Sequence, residues 1–195
     1  MAIFLFVCSQ LLLLALPILT IETKHASYMT YVITRDYFVA FKAPEYSIYN
    51  TSEKHLYYRI ESKYDFQHNI KLVMYPSKKI VAKLRSQKQG KEFKAKISIC
   101  NITSNQWSYG TIIQHRQWLH ANYSIEWNEY HLSMITNIVS GTTRILDQSE
   151  NDVLAQFYRR WFSLNYKYQL EVFSDRIPES LYLLGLAVVS RSDNG

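Results

Sequence analysis

Residues 178–191 read PESLYLLGLAVVSR, and this stretch decides how the rest of the chain is arranged. Its ends predict a helix: Pro178 suits a first helical turn, Glu179 falls at the positive end of the helix dipole and Arg191 at the negative end. Between them Leu181, Leu183, Leu184, Leu186, Val188 and Val189 leave no polar face. A helix apolar all round has to be enclosed by protein or by lipid. About 14 residues at 1.5 Å each give roughly 21 Å, short of the roughly 30 Å hydrocarbon core of a bilayer. Protein is therefore the expected enclosure, and truncation before Pro178 should unfold the domain.

What precedes Pro178 supplies the enclosure. Past residue 26, apolar side chains recur with period two in short blocks, the pattern of half-buried strands. The blocks are MTYVIT (29–34), DYFVAF (36–41), a short stretch at Tyr46 and Ile48, HLYYRIES (55–62), NIKLVMY (69–75), KIVAKLRS (79–86) and EFKAKISI (92–99). SYGTIIQH (108–115), NYSIEW (122–127), YHLSMIT (130–136), TTRIL (142–146), VLAQFYRR (153–160) and YKYQLEVF (166–173) follow. Pro76-Ser77 marks a turn, and Gln87–Gly90 the tip of a hairpin. In the blocks flanking that hairpin Ile80, Ala82 and Leu84, with Phe93, Ala95, Ile97 and Ile99, should face inward. Roughly a dozen strands at this spacing read as a mainly β protein, a sheet closed into a barrel around one central C-terminal helix. No linker, repeat or second domain interrupts residues 27–195.

Composition agrees: 15% of residues are aromatic, among them 16 Tyr, while 5 Gly and 4 Pro exclude a fibrous or disordered chain. Residues 1–21, MAIFLFVCSQLLLLALPILTI, carry no charge and read as a secretory signal peptide, with cleavage near Thr20 or Ala26. The rival is an uncleaved N-terminal hydrophobic anchor, since about 20 apolar residues can span a bilayer. Either way residues 1–26 stand apart from the domain, and the expected location is secreted or within the endomembrane lumen, or else membrane-anchored. Cys8 lies in that leader, leaving Cys100 as a small buried apolar residue with no internal disulfide partner. Three sequons, at Asn50, Asn101 and Asn122, fall at turns or on the polar side of a strand and are candidate glycosylation sites on the export route.

In order, YVITRDYFVAFKAPEYSIYN (31–50), KIVAKLRS, VLAQFYRRWFSLNYKYQLEVF (153–173) and the helix SLYLLGLAVV (180–189) resemble the tubby C-terminal-like superfamily, especially its LURP-one-related branch. The resemblance implies a 12-stranded antiparallel barrel threaded by the C-terminal helix. Relatives in that superfamily include tubby proteins, which bind phosphoinositides, and phospholipid scramblases; much of the family has no assigned activity. No binding residue is carried over from it.

Charge supplies the candidate site. The chain carries a formal +6, and Lys71–Lys96 holds nine basic residues against Glu92 alone. Alternation puts Lys83, Arg85, Lys94 and Lys96 on the outer face of one hairpin, with Lys88 and Lys91 near its tip. Like charges so placed repel across strands, and a counter-anion relieves that repulsion. Anionic lipid headgroups, with a membrane surface as one source, or acidic glycans are the expected partners. The plain alternative is a solvated strand face that resists aggregation. Arg159-Arg160 beside Trp161-Phe162 form a second basic spot, read as a strand end.

Chemistry-bearing patterns are missing. His115 and His120 stand five apart, outside HExxH or CxxC spacing, so no metal site is expected. There is no G-x-S-x-G elbow and no glycine-rich phosphate loop, and Glu126 with Glu129 is no more than a chance carboxylate pair. The reading is a non-enzymatic, cofactor-free binding module. A secretory leader keeps the chain from nucleic acid. Two further readings are a scramblase-like membrane-anchored lipid protein and a lipocalin-like carrier, the latter needing an empty barrel.

Overall fold

The computed structural model of the chain describes residues 27–36, 44–63, 69–89, 92–116, 120–137, 139–160 and 166–192. Twelve strands precede one helix: β1 (Met29–Arg35), β2 (Tyr46–Tyr49), β3 (Leu56–Ser62), β4 (Asn69–Met74), β5 (Lys79–Gln89), β6 (Glu92–Cys100), β7 (Trp107–Arg116), β8 (His120–Trp127), β9 (Tyr130–Asn137), β10 (Thr142–Asp147), β11 (Val153–Arg160), β12 (Lys167–Val172) and α1 (Glu179–Ser192). Each strand pairs antiparallel with its neighbours in sequence, and β1 closes the barrel on β12 through the register Met29↔Val172 to Thr34↔Lys167. Full closure leaves no free sheet edge.

Period two sorts the strands as expected. Leu132, Met134 and Thr136 of β9, Thr143, Ile145 and Asp147 of β10, and Tyr168, Leu170 and Val172 of β12 are all buried, with less buried residues between them. The inward sets converge on α1. Leu181, Tyr182, Leu183, Leu184 and Leu186 are each 0% exposed, and Ala187, Val188 and Val189 no more than 5%. The helix is therefore covered on every side by the barrel wall. At Gly185 the cover is close, since a Cβ there would stand 3.1 Å from the Met134 sulfur and 3.5 Å from Ile145 Cδ1.

Two polar fixings hold the helix at the end where it enters. The Tyr31 hydroxyl donates to Glu179 Oε2 at 2.5 Å, and the Tyr58 hydroxyl donates to Oε1. Burial first, and then the bond to Glu179, push both phenols well above their ordinary pKa, so both remain donors. Just before the helix, Arg176 Nη1 pairs with Glu150 at 2.5 Å and Nη2 with Asp152 at 3.3 Å. Asp147, 3.8 Å from Arg176 Nη1, accepts the Ser149 hydroxyl and amide. Those bonds to Ser149, ahead of the Arg176 charge, hold its carboxyl below the ordinary value.

Two sequence expectations change. A β-bulge between Leu72 and Val73 pairs Leu72 with Ala82 but Val73 with Ile80, leaving Val81 as the extra residue. Val81 (1% exposed) thereby takes the inward place expected of Ile80, which is only half-buried. The β5–β6 ladder also runs on through Gln87↔Lys94 and Lys88↔Phe93 to Gln89↔Glu92, so Gln87, Lys88 and Gln89 belong to the strand rather than to the turn expected at Gln87–Gly90. Phe93 is half-buried, packed on the core margin. Cys100 is a free, buried thiol. Residues 1–26 and most of DYFVAF lie outside the described residues.

Candidate functional site

The basic hairpin faces outward across three strands. Lys83, Arg85 and Lys96 are exposed and Lys94 half-exposed, while Ala82, Leu84, Ala95 and Ile97 between them are buried. Antiparallel register then decides which charges meet. Arg85 stands directly opposite Lys96 across β5–β6, and Lys83 directly opposite Lys71 across β4–β5. Directly opposed side chains sit roughly 5 Å apart at Cβ, and like charges there are destabilising by up to about 1 kcal/mol.

These residues ring a depression of about 820 Å3 on the outer wall, with Lys63, Lys71, Lys83, Arg85 and Lys96 in its lining together with Tyr109 and Gly110. Among the described residues no carboxylate lines it. Among the described residues, none of the five cations forms an ion pair. Glu61, opposite Lys71 in the β3–β4 register, makes none with it. The Lys83 ammonium lies over the Trp107 ring, 4.7 Å from its centroid, which fixes one cation at the margin of the depression. Tyr109, 71% exposed, stands beside the cations as a wall.

Of the six basic residues expected to act together, three are brought into the depression: Lys83, Arg85 and Lys96. Lys94 is opposite Gln87 and Ile113, outside that lining. Lys88 is opposite Phe93 at the far end of the ladder; its side chain, and the whole of Lys91, lie outside the described residues. Lys63 and Lys71 join from β3–β4, which local alternation in the hairpin could not reveal, because only the register across β4 places them there.

The sequons have distinct surroundings. Asn50 caps the β2–β3 turn, its Oδ1 accepting the amides of Lys54 (3.0 Å) and His55 (3.2 Å). Asn101, exposed, does the same for Thr103 and Ser104 after β6. Asn122 lies within β8 between half-buried Ala121 and buried Tyr123 and is itself half-buried. The second basic spot is the end of β11: Arg159 stacks over Tyr166 at 4.3 Å, Arg160 lies 4.0 Å from Glu53, and Trp161-Phe162 lie outside the described residues. No group of three or more His, Cys, Asp or Glu among the described residues is placed to hold a metal ion. No helix among them is long and apolar enough to cross a membrane.

No model of a known protein family matches the chain, and no curated protein does either.

Proposed function

We propose that the protein is a non-enzymatic binding module, tubby C-terminal-like in kind, that recognises anionic phospholipid headgroups through the outer face of β4, β5 and β6. One observation carries this reading: five cations surround a single depression, two pairs of them face each other directly, and none has a carboxylate partner among the described residues. A phosphate group placed there relieves like-charge repulsion at Lys71/Lys83 and Arg85/Lys96 together. Arg85 adds a planar fork suited to two phosphate oxygens, and the lysines act as point charges. The twelve-stranded barrel around a C-terminal helix is what the tubby-like resemblance implies, and it supports placing the protein in that kind.

The apolar leader and the three sequons support a secreted or lumenal glycoprotein, with retention by residues 1–26 as the alternative. Acidic glycans offer the same anionic chemistry and are the second ligand class. A lipocalin-like carrier holds its ligand in an empty lumen, whereas α1 occupies this one, which favours recognition on the outside. A scramblase-like anchored protein would resist carbonate extraction, whereas a mature secreted form would be released.

The test is co-sedimentation with phosphatidylcholine vesicles, with and without phosphatidylserine, alongside retention on immobilised heparin. Wild type should sediment only with the anionic vesicles, and Lys83→Glu/Arg85→Glu/Lys96→Glu should not. Equal binding by the triple variant ends the proposal. Retention on heparin without any vesicle binding moves the ligand to the glycan class.

A further inference from the structure

A second depression lies at the end of the barrel where α1 enters, well apart in chemistry from the basic face. The alternation of strand direction brings the β4–β5, β6–β7 and β8–β9 turns to that end, beside the segment leading into the helix. The cavity measures about 540 Å3, within the range that holds small organic ligands. Tyr58, Trp107 and Trp127 supply aromatic walls, Asp175 and Glu179 are the acidic groups, and Ser180 stands among several neutral polar residues such as Asn101, Gln106 and Asn128. Among the described residues no Lys, Arg or His lines it, although the chain as a whole carries a formal +6.

Glu179 is held with one tyrosine hydroxyl on each carboxylate oxygen. Each such oxygen accepts about two hydrogen bonds, so one acceptor position on each is left. Ser180, only 6% exposed, lines the same cavity, and its hydroxyl has no hydrogen-bond partner among the described residues. Its oxygen is therefore free to bond to water or to a ligand in the cavity. The Trp127 indole N–H is already given to Ser108 Oγ at 3.0 Å and one face of the ring stacks on Tyr130 at 6.0 Å, so the ring has its other face and its edge to offer. Trp107 already carries the Lys83 ammonium over its ring, which shows a π face at this rim engaging a cation.

We propose that this cavity binds a small organic ammonium, its charged nitrogen donating to Glu179 and Ser180 while its apolar part lies against Tyr58, Trp107 and Trp127. An anionic ligand would meet the two carboxylates of Asp175 and Glu179, with Lys83 over the outer rim at Trp107 as the cation nearest to offset them among those described. A neutral apolar ligand would cover Glu179 and Ser180 without supplying the donors they need. An ammonium on an arylalkyl stem satisfies both the acceptors and the rings.

The full mature chain is titrated with phenethylamine, 2-phenylethanol and phenylacetate, three probes of one shape and different charge, by calorimetry and by the fluorescence of the lining tryptophans. Phenethylamine should bind about 10- to 100-fold more tightly than either analogue. Glu179→Gln should weaken it by a similar factor, and Ser180→Ala by about threefold to tenfold with the melting temperature unchanged. Should Glu179→Gln fail to fold, the wild-type comparison of the three probes and Ser180→Ala still decide. No phenethylamine binding at millimolar concentration overturns the proposal. So does equal affinity for the alcohol or the acid, or binding that Ser180→Ala leaves untouched.

Discussion

Leu184→Ala probes the enclosure of α1 quantitatively. Leu184 is 0% exposed on a helix buried on every side, so the truncated side chain leaves a void that the closed wall cannot readily collapse upon. Leucine-to-alanine changes at such sites cost about 2–5 kcal/mol, the upper half applying where the surroundings are rigid. Net stability of a domain is typically about 5–15 kcal/mol, so one substitution removes a large share of it. At about 2–4 °C per kcal/mol for a chain of this length, the melting temperature should fall by about 4–20 °C. Urea unfolding followed by tryptophan fluorescence gives the free energy, and thermal circular dichroism gives the midpoint. Val139→Ala, at a side chain 93% exposed, serves as the control and should change stability by less than about 0.5 kcal/mol. A Leu184→Ala cost below about 1 kcal/mol would mean that the helix is not enclosed, and a cooperatively melting 1–177 fragment would say the same.

Three further outcomes follow from single contacts. Gly110→Ala places a Cβ 2.3 Å from the Glu126 carbonyl oxygen, a backbone atom that cannot step aside, so urea unfolding should show a loss of about 1–3 kcal/mol. Tyr182→Phe removes a fully buried hydroxyl that has no hydrogen-bond partner among the described residues; its urea midpoint should stay level or rise, and a cost above about 1 kcal/mol would reveal a hidden partner. Asp147 has its pKa lowered in the fold, so its contribution is present above the ordinary value of 3.8 and is lost as pH falls through the lower folded value. Wild type should exceed Asp147→Asn in urea midpoint near neutral pH, and the gap should narrow below about pH 4; a constant gap would contradict the assignment.

The helix was legible because Leu181 to Val189 offers no polar face, and a local pattern of that kind admits few solutions. Most strand positions followed from the two-residue period. The bulge at Val81 did not, since KIVAKLRS reads equally well in either phase until β4 fixes which residue is extra. The basic face was half legible. Alternation put Lys83, Arg85 and Lys96 on one side, but pairing with β4 was needed to bring Lys71 opposite Lys83 and to add Lys63. The tether at Glu179 was hidden for another reason: Tyr31 and Tyr58 reach it from positions 148 and 121 residues away, and no local signal marks a contact of that range. From the sequence, Glu179 served only the helix dipole.

The most direct test of recognition by the outer face is a salt titration of vesicle binding. Wild type and Lys83→Glu/Arg85→Glu/Lys96→Glu are titrated with phosphatidylserine-containing vesicles at increasing sodium chloride. At about 1 kcal/mol per basic residue near an anionic surface, loss of three cations should weaken binding at low salt by at least about 100-fold. The wild-type curve should fall toward that of the variant as the Debye length contracts from about 10 Å at 0.1 M to about 3 Å at 1 M. Superimposable curves at low salt, or wild-type binding indifferent to salt, would contradict it.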